Sequence, residues 1–295
     1  RFRLAGVAGI VCTAEGDVTR FVDEACKEYD GLKCKLVARG EKPGWQSYDR
    51  LVEEADDHLE RVPTTWDTGM LAYFTSGTTG YPKLVVHNHT YSIGHIITAR
   101  HWHNVDPDGL HLTVSDTGWG KAAWGKLYGQ WLCAAGIFVF DFEKFNAGAL
   151  MSQIEKHRIT TFCAPPTIYR FLVKEGMQGY DLSSIKYATT AGEALNPEVF
   201  NRFKEYTGLE LMEGFGQTET TLTLGNLVGS RPKPGSMGKP SPLYPNLALV
   251  DEDGNDVPAG VVGEIVVRTP EGKRNVGLFD GYYRDEALTH EAWHD

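Results

Sequence analysis

The chain has 295 residues, 41% hydrophobic and 23% charged, with 29 basic against 39 acidic side chains and a formal net charge of −10. That composition suits one large globular domain or two smaller ones, and it lacks the basic surplus by which a nucleic-acid partner is usually held. No apolar run approaches the roughly 18–20 residues of a membrane span, and five scattered cysteines without a Cys-x-x-Cys spacing point to a reducing, cytoplasmic setting.

Apolar runs alternate with amphipathic stretches from the start. Val7 to Cys12 reads as a buried strand, followed from Asp17 by a helix with Phe21, Val22, Ala25, Cys26 and Tyr29 on one face. Cys34 to Ala38 is the next strand, and Ser47 opens a helix carrying Tyr48, Leu51, Val52, Ala55 and Leu59. Met70 to Thr75 is a strand running into a Gly-rich loop. Helices are expected around Thr90–His101 and Lys121–Leu132, and a strand at Ile137–Phe140. Asn146 caps a further helix, and Thr161–Ala164 is a strand stopped by Pro165-Pro166. Asn196-Pro197 is a cap followed by a first-turn proline.

Beyond Ser230 the texture changes. Arg231 to Pro245 holds five of the 14 prolines, and the stretch after it is β-like: Leu247–Val250, a turn at Asp251–Gly254, and the alternating run Gly263–Arg268. The expected organisation is α/β over 1–235 and a small β-rich subdomain over 236–295. The chain opens at Arg1 without a methionine or signal-like segment and stops at Trp293-His294-Asp295. Both ends are expected to continue into a longer protein.

The most informative stretch is Tyr73-Phe74-Thr75-Ser76-Gly77-Thr78-Thr79-Gly80-Tyr81-Pro82-Lys83. Glycines let backbone approach an anion, hydroxyls donate to phosphate oxygens, and Lys83 adds a point charge. Neither a Walker A loop nor a Gly-x-Gly-x-x-Gly fingerprint occurs. The full run resembles the phosphate-binding loop of the adenylate-forming superfamily of acyl-CoA synthetases, peptide-synthetase adenylation domains and luciferases. Three more motifs come in that superfamily's order: Ala191-Gly192-Glu193-Ala194-Leu195, Glu213-Gly214-Phe215-Gly216-Gln217-Thr218-Glu219, and Gly263-Glu264-Ile265-Val266-Val267-Arg268. Asp116-Thr117-Gly118-Trp119 and Gly277-Leu278-Phe279-Asp280-Gly281-Tyr282-Tyr283 look most like the medium-chain acyl-CoA synthetase branch.

The resemblance implies the α/β large N-terminal domain of such an enzyme, without its ribose motif, hinge and lysine-bearing C-terminal domain. It also implies ATP, Mg²⁺ and coenzyme A as reactants and cofactor, and a small-molecule carboxylic acid as substrate. A carboxylate would attack the α-phosphate of ATP, and the thiol of CoA would then displace AMP. The loop from Thr75 to Lys83 would hold phosphates, Gly192, Glu193 and Ala194 one face of adenine, and Phe215 the other. Gln217 would fix its turn within the nucleotide motif Glu213–Thr218, Thr218 would donate to the α-phosphate or the substrate carboxylate, and Glu219 would bind Mg²⁺. Lys83, Thr218 and Glu219 form the implied catalytic set. The alternatives are a module loading a carrier-protein thiol, or a nucleotide-binding regulator; self-association is compatible with all three.

Several residues carry a plainer reading beside this one. Phe215 and Trp119 could be core, Glu219 a solvated acid, and Lys121 and Lys126 a solvated helix face rather than anion contacts. Six of ten histidines (87, 89, 95, 101, 103 and 111) fall in one short segment, where ordinary polar positions are favoured over a zinc site. Trp119 would by resemblance wall the acyl pocket. Gly216 replaces a tryptophan that closes this pocket in acetate-activating relatives. An open floor predicts butyrate-sized or longer, branched or aromatic acids; a glycine kept for a tight turn is the competing explanation.

Overall fold

The computed structural model describes residues 1–76, 82–270 and 273–294. The chain groups into two compact units: Arg1–Thr65 with Phe74–Val85 and Gly281–Asp295, and Trp66–Tyr73 with Val86–Asp280.

In the first unit, strand Gly9–Thr13 pairs in parallel with Cys34–Ala38, and that strand with Gln46–Ser47. Helix Val18–Ala25 is shorter than its sequence pattern suggests. It buries only Thr19 and Val22, a single i, i+3 line, and leaves Phe21 exposed. Ser47 caps helix Tyr48–Glu54 as expected, accepting from the Arg50 N–H at 3.3 Å. The helix ends before Ala55, so Leu59 lies in solvent.

The second unit is built on a seven-stranded sheet. Five strands run parallel, in the spatial order Leu211–Phe215, Tyr187–Thr190, Thr161–Ala164, Leu110–Thr113, Gly136–Phe138. Leu224–Gly225 and Lys239–Pro240 extend the first edge antiparallel. Between successive parallel strands the chain forms helices Ala147–His157, Pro166–Glu175 and Pro197–Thr207. Asn146 and Asn196 cap the outer two through their side chains, as expected. The middle helix is absent from the sequence reading. Pro165-Pro166 does stop the strand, but Pro166 is also the first residue of a helix, where a missing N–H costs nothing.

Period-2 alternation divides the sheet into two faces. Phe162, Ala188 and Leu211 pack under Leu150, Ile154, Tyr169, Leu172 and Phe203 from the three helices. Their neighbours Cys163 and Met212 belong to a second cluster with Trp102 and Leu222. The helix expected over 90–101 is α-helical only through Ile96 and continues as a π-helix over Ile97–Trp102. The one expected over 121–132 is two helices, Gly120–Lys126 and Tyr128–Leu132. Gly129 lies so close to the His95 carbonyl that any Cβ would collide with it.

From 236 onward, strands Leu247–Val250 and Glu264–Val267 form a two-stranded antiparallel ribbon. A Cβ on Gly263 would stand 2.8 Å from the Val250 carbonyl oxygen, and Arg268 forks onto the Asp256 carboxylate at 2.8 and 3.2 Å. The Gly263–Arg268 run therefore has a structural role. Helix Glu286–Trp293, capped by the Asp285 side chain, was not anticipated from the sequence.

Candidate active site

In an open parallel sheet, ligands bind beyond the carboxyl ends of the strands, where the turns leave a crevice. Four sequence features gather at that end of this sheet: Asp116–Trp119 after strand Leu110–Thr113, Pro165–Thr167 after Thr161–Ala164, Ala191–Leu195 after Tyr187–Thr190, and Gly216–Glu219 after Leu211–Phe215. The register sets Ala164 beside Thr190 and Thr190 beside Glu213.

The Ala191–Leu195 turn is held from three sides. The Lys121 ammonium donates to the Ala191 carbonyl at 2.8 Å, the Thr167 hydroxyl donates to Glu193 Oε2 at 2.6 Å, and the Leu195 N–H points to Glu213 Oε1 at 3.4 Å. Gly192 has φ +103°, a conformation that side-chain-bearing residues avoid, and none of the described residues lies within 4 Å of where its Cβ would be. Its backbone face is open to a flat partner. Lys121 is buried and burial lowers its pKa, so the solvated-face reading fails for it. Glu213 is 5% exposed, burial raises its carboxyl pKa, and its Oε2 has no partner among the described residues.

The Gly216–Glu219 turn is fixed mainly through its backbone. Gln217 N–H donates to Thr220 Oγ1 at 3.0 Å, and Thr221 N–H to the Tyr244 hydroxyl at 3.2 Å. His87 Nε2 donates to the Thr218 carbonyl at 2.7 Å, and Phe279 N–H to the Glu219 carbonyl at 2.9 Å. Phe215 is half-buried and belongs to no core cluster. Thr218 and Glu219 are likewise half-buried, and Gln217 is exposed. Gly214 is a packing residue: a Cβ there would meet the Trp102 ring at 2.7 Å.

Gly216 acquires a backbone explanation. Its Cβ would stand 2.5 Å from the Thr221 carbonyl oxygen, closer than real Cβ atoms come, so the turn itself demands glycine. Trp119 is 61% exposed, which excludes the core reading. It sits in an Asx-type turn in which Asp116 Oδ1 accepts from Gly118 N–H at 2.7 Å.

The histidines divide between surface and interior. His87, His95, His103 and His111 are at most 1% exposed rather than ordinary polar positions. His103 Nδ1 bonds the Thr189 hydroxyl at 2.7 Å, and His111 bonds Thr161 and Thr113 at 2.7 and 2.8 Å. Burial lowers the pKa of His87 to about 4 and depresses His95 and His103 strongly. His87, His95 and His103 are therefore neutral core imidazoles, and no group of three metal-ligating side chains occurs among the described residues. His87, one of the clustered histidines, and Phe279, within Gly277–Tyr283, both touch the Glu213–Glu219 motif, a pairing that the sequence does not signal.

In the first unit, Lys83 lies on strand Pro82–Asn88 with its ammonium 5.0 Å from the Tyr282 ring centroid, a cation–π distance. Thr75 and Ser76 end strand Gly69–Ser76, and Pro82 begins the next. Gly77, Thr78, Thr79, Gly80 and Tyr81 lie outside the described residues. Among the described residues no helix is long and apolar enough to cross a membrane, and all five cysteines are free.

Comparison with known proteins places these features in a family context. The family model described as "AMP-binding enzyme" matches residues 2–283. The human mitochondrial acyl-coenzyme A synthetase ACSM3 is 36% identical over 270 residues, covering 91% of this chain and 46% of that protein. Human mitochondrial ACSM4 is 38% identical over 269 residues, with 90% and 46% covered. The chain thus spans about half the length of the curated relatives it matches. Among solved structures, the anthranilate CoA ligase AuaEII in complex with anthranoyl-AMP superposes with a TM-score of 0.90 at 23% identity, covering 98% of this chain and 55% of that one. A benzoate CoA ligase from Burkholderia xenovorans LB400 gives 0.82 at 21%, with 98% and 56% covered. At these identities the superpositions establish the fold.

Proposed function

Because the chain belongs to the AMP-binding enzyme family, we propose that it is the nucleotide- and acid-binding part of an ATP-dependent acid–CoA ligase. The substrate class we assign is a medium-chain, branched or aromatic carboxylic acid. The observation that carries the reading is the open, φ-positive backbone of Gly192 at the carboxyl edge of the parallel sheet, one strand from the half-buried Phe215. A flat base fits such a surface. Glu213 Oε2, buried without a partner among the described residues, supports it, because an unpaired buried acceptor costs about 1–3 kcal/mol and an amino donor on the base would offset that.

In this reading Thr218 orients the α-phosphate or the acid, and Lys83 with the loop 75–83 neutralises the phosphates. Glu219 fits Mg²⁺, since a hard carboxylate on a turn pinned through both its neighbouring peptides suits an ion held otherwise by phosphate oxygens and water. Bound there, Mg²⁺ would offset charge on the leaving pyrophosphate. CoA would be the thiol acceptor. The α/β region 1–235 and the β-rich 236–295 would be completed by a lysine-bearing domain. The free cysteines fit a reducing compartment, whether cytoplasmic or the mitochondrial one named for the mammalian relatives.

The test is to supply the full-length protein with ATP, Mg²⁺, CoA and a panel of acids, and to measure pyrophosphate, AMP and acyl-CoA. Acyl-adenylate without CoA thioester would favour carrier-protein loading, and ATP binding without pyrophosphate release would favour a regulator. Lys83→Ala should slow ATP–pyrophosphate exchange about 10- to 100-fold, the equivalent of a lost charge-assisted phosphate contact. Unchanged exchange at low ATP would remove the loop from the site. Glu219→Gln, which keeps shape and removes charge, should raise the half-activating Mg²⁺ concentration about tenfold or more. Superimposable activation curves would show that the ion is held elsewhere.

A further inference from the structure

We infer that His87 is a positioning residue that sets the carboxylate of Glu219 through the backbone, acting as the neutral Nε2–H imidazole. The inference rests on the proposed function and extends it to a residue outside the recognised motifs. Glu219 is joined to the chain by two peptides. The carbonyl of the first, from Thr218, accepts from His87 Nε2 at 2.7 Å. The carbonyl of the second, its own, accepts from Phe279 N–H at 2.9 Å. With both flanking peptides tied, the backbone rotation that would swing the Glu219 side chain is constrained, and one of the two ties is a side chain open to substitution.

The tautomer is set by the partner. A carbonyl only accepts, so Nε2 carries the proton, and in the neutral ring that full burial favours Nδ1 keeps the lone pair. Nδ1 is buried without a hydrogen-bond partner among the described residues, so the Thr218 carbonyl is the ring's polar anchor. The ring cannot easily turn away. It stacks on Tyr91 with centroids 3.9 Å apart and planes 28° apart, and Tyr73 meets it edge-on at 6.3 Å. Tyr91 is itself 1% exposed and braced by His95 at 4.4 Å. The next residue, Asn88, donates to Asp280 at 2.8 Å, beside the Phe279 that makes the second tie. Packing thus presents one N–H at one carbonyl, in the way outer partners of metal ligands fix orientation.

The experiment compares two polar replacements in the full-length protein. His87→Gln places an amide N–H at about the reach of Nε2, whereas His87→Asn is one methylene too short. Each is measured for the Mg²⁺ dependence of ATP–pyrophosphate exchange, for Mn²⁺ binding in the presence of ATP by the EPR signal of the free ion, and for its urea midpoint. His87→Asn should raise the half-activating Mg²⁺ concentration and the Mn²⁺ dissociation constant about tenfold. His87→Gln should stay within about threefold of wild type. Equal shifts in both variants, no shift in either, or a lowered urea midpoint with unchanged Mn²⁺ binding would overturn the inference. Glu219→Gln is run alongside. If it leaves metal binding unchanged, the assignment of the ion fails; if it weakens binding while His87→Asn does not, only the role of His87 fails.

Discussion

Replacing Gly216 with tryptophan in the full-length protein is expected to lower kcat/KM on acetate, butyrate and benzoate by a similar factor, at least about tenfold. Even the first carbon of the new side chain would stand 2.5 Å from the Thr221 carbonyl oxygen, which is backbone and cannot swing aside. That carbonyl sits where the turn is tied to Tyr244, which takes the Thr221 N–H and bonds its hydroxyl at 2.7 Å. Relief therefore has to come from the turn carrying Gln217, Thr218 and Glu219, the groups proposed to meet ATP, the acid and Mg²⁺. Overpacking of this kind costs about 1–3 kcal/mol, and a displaced turn adds a loss common to all acids. A selective loss on the longer acids, with acetate spared, would show that the backbone adapts and that the absent side chain keeps the acyl pocket open. Chain-length preference then rests on Gly216; otherwise it has to be sought in other residues, with the exposed Trp119 the first to test by substitution.

Acid is expected to destabilise the protein in a window set by its buried histidines. Burial holds His87 at about 4 and depresses His95 and His103 well below the usual imidazole value. In the unfolded chain these rings titrate near 6.5. Between the two values the unfolded state binds more protons, so stability is full above about pH 6.5 and is lost as pH falls toward 4. For His87 alone the shift corresponds to about 3 kcal/mol. The carboxylates held lowest, Asp23 by Lys42 and Lys35, and Asp181 by Ser183 and Arg158, sit at about 2 and titrate below this window. Glu213 and Asp280, raised by burial, act in the opposite sense. Urea midpoints from pH 7.5 to 4.5 should fall steadily below 6.5, and His87→Gln should make the fall shallower. A midpoint flat across that range would mean that these rings take up protons in the folded state.

Much of the candidate site was legible because it depends on local chemistry. A glycine in a turn, a threonine after it and a glutamate at its end are adjacent in sequence, and each motif lies on one strand–turn junction. The caps at Ser47, Asn146 and Asn196 were readable for the same reason: the capping side chain and the N–H it accepts are two or three residues apart. Where a residue's meaning depends on distant neighbours, sequence was silent or misleading. Phe21 shares a helical face with Val22 in projection, yet only Val22 is covered. Lys121 reads equally as an anion contact or a solvated cation, and is buried against the Ala191 carbonyl, 70 residues away.

Sequence by itself determined the fold class and the order of the motifs, since strand and helix periodicities, turn composition and the motifs themselves are written within a few residues. Tertiary structure alone decided which side chains those motifs lean on. His87 reaches Thr218 across 131 positions, Asn88 reaches Asp280 across 192, and Gly216 is confined by a carbonyl that its own turn brings back over it. Such pairings arise only when the sheet sets its strand ends side by side, because hydrogen bonds and steric exclusion act over a few ångströms of space, whatever the distance along the chain.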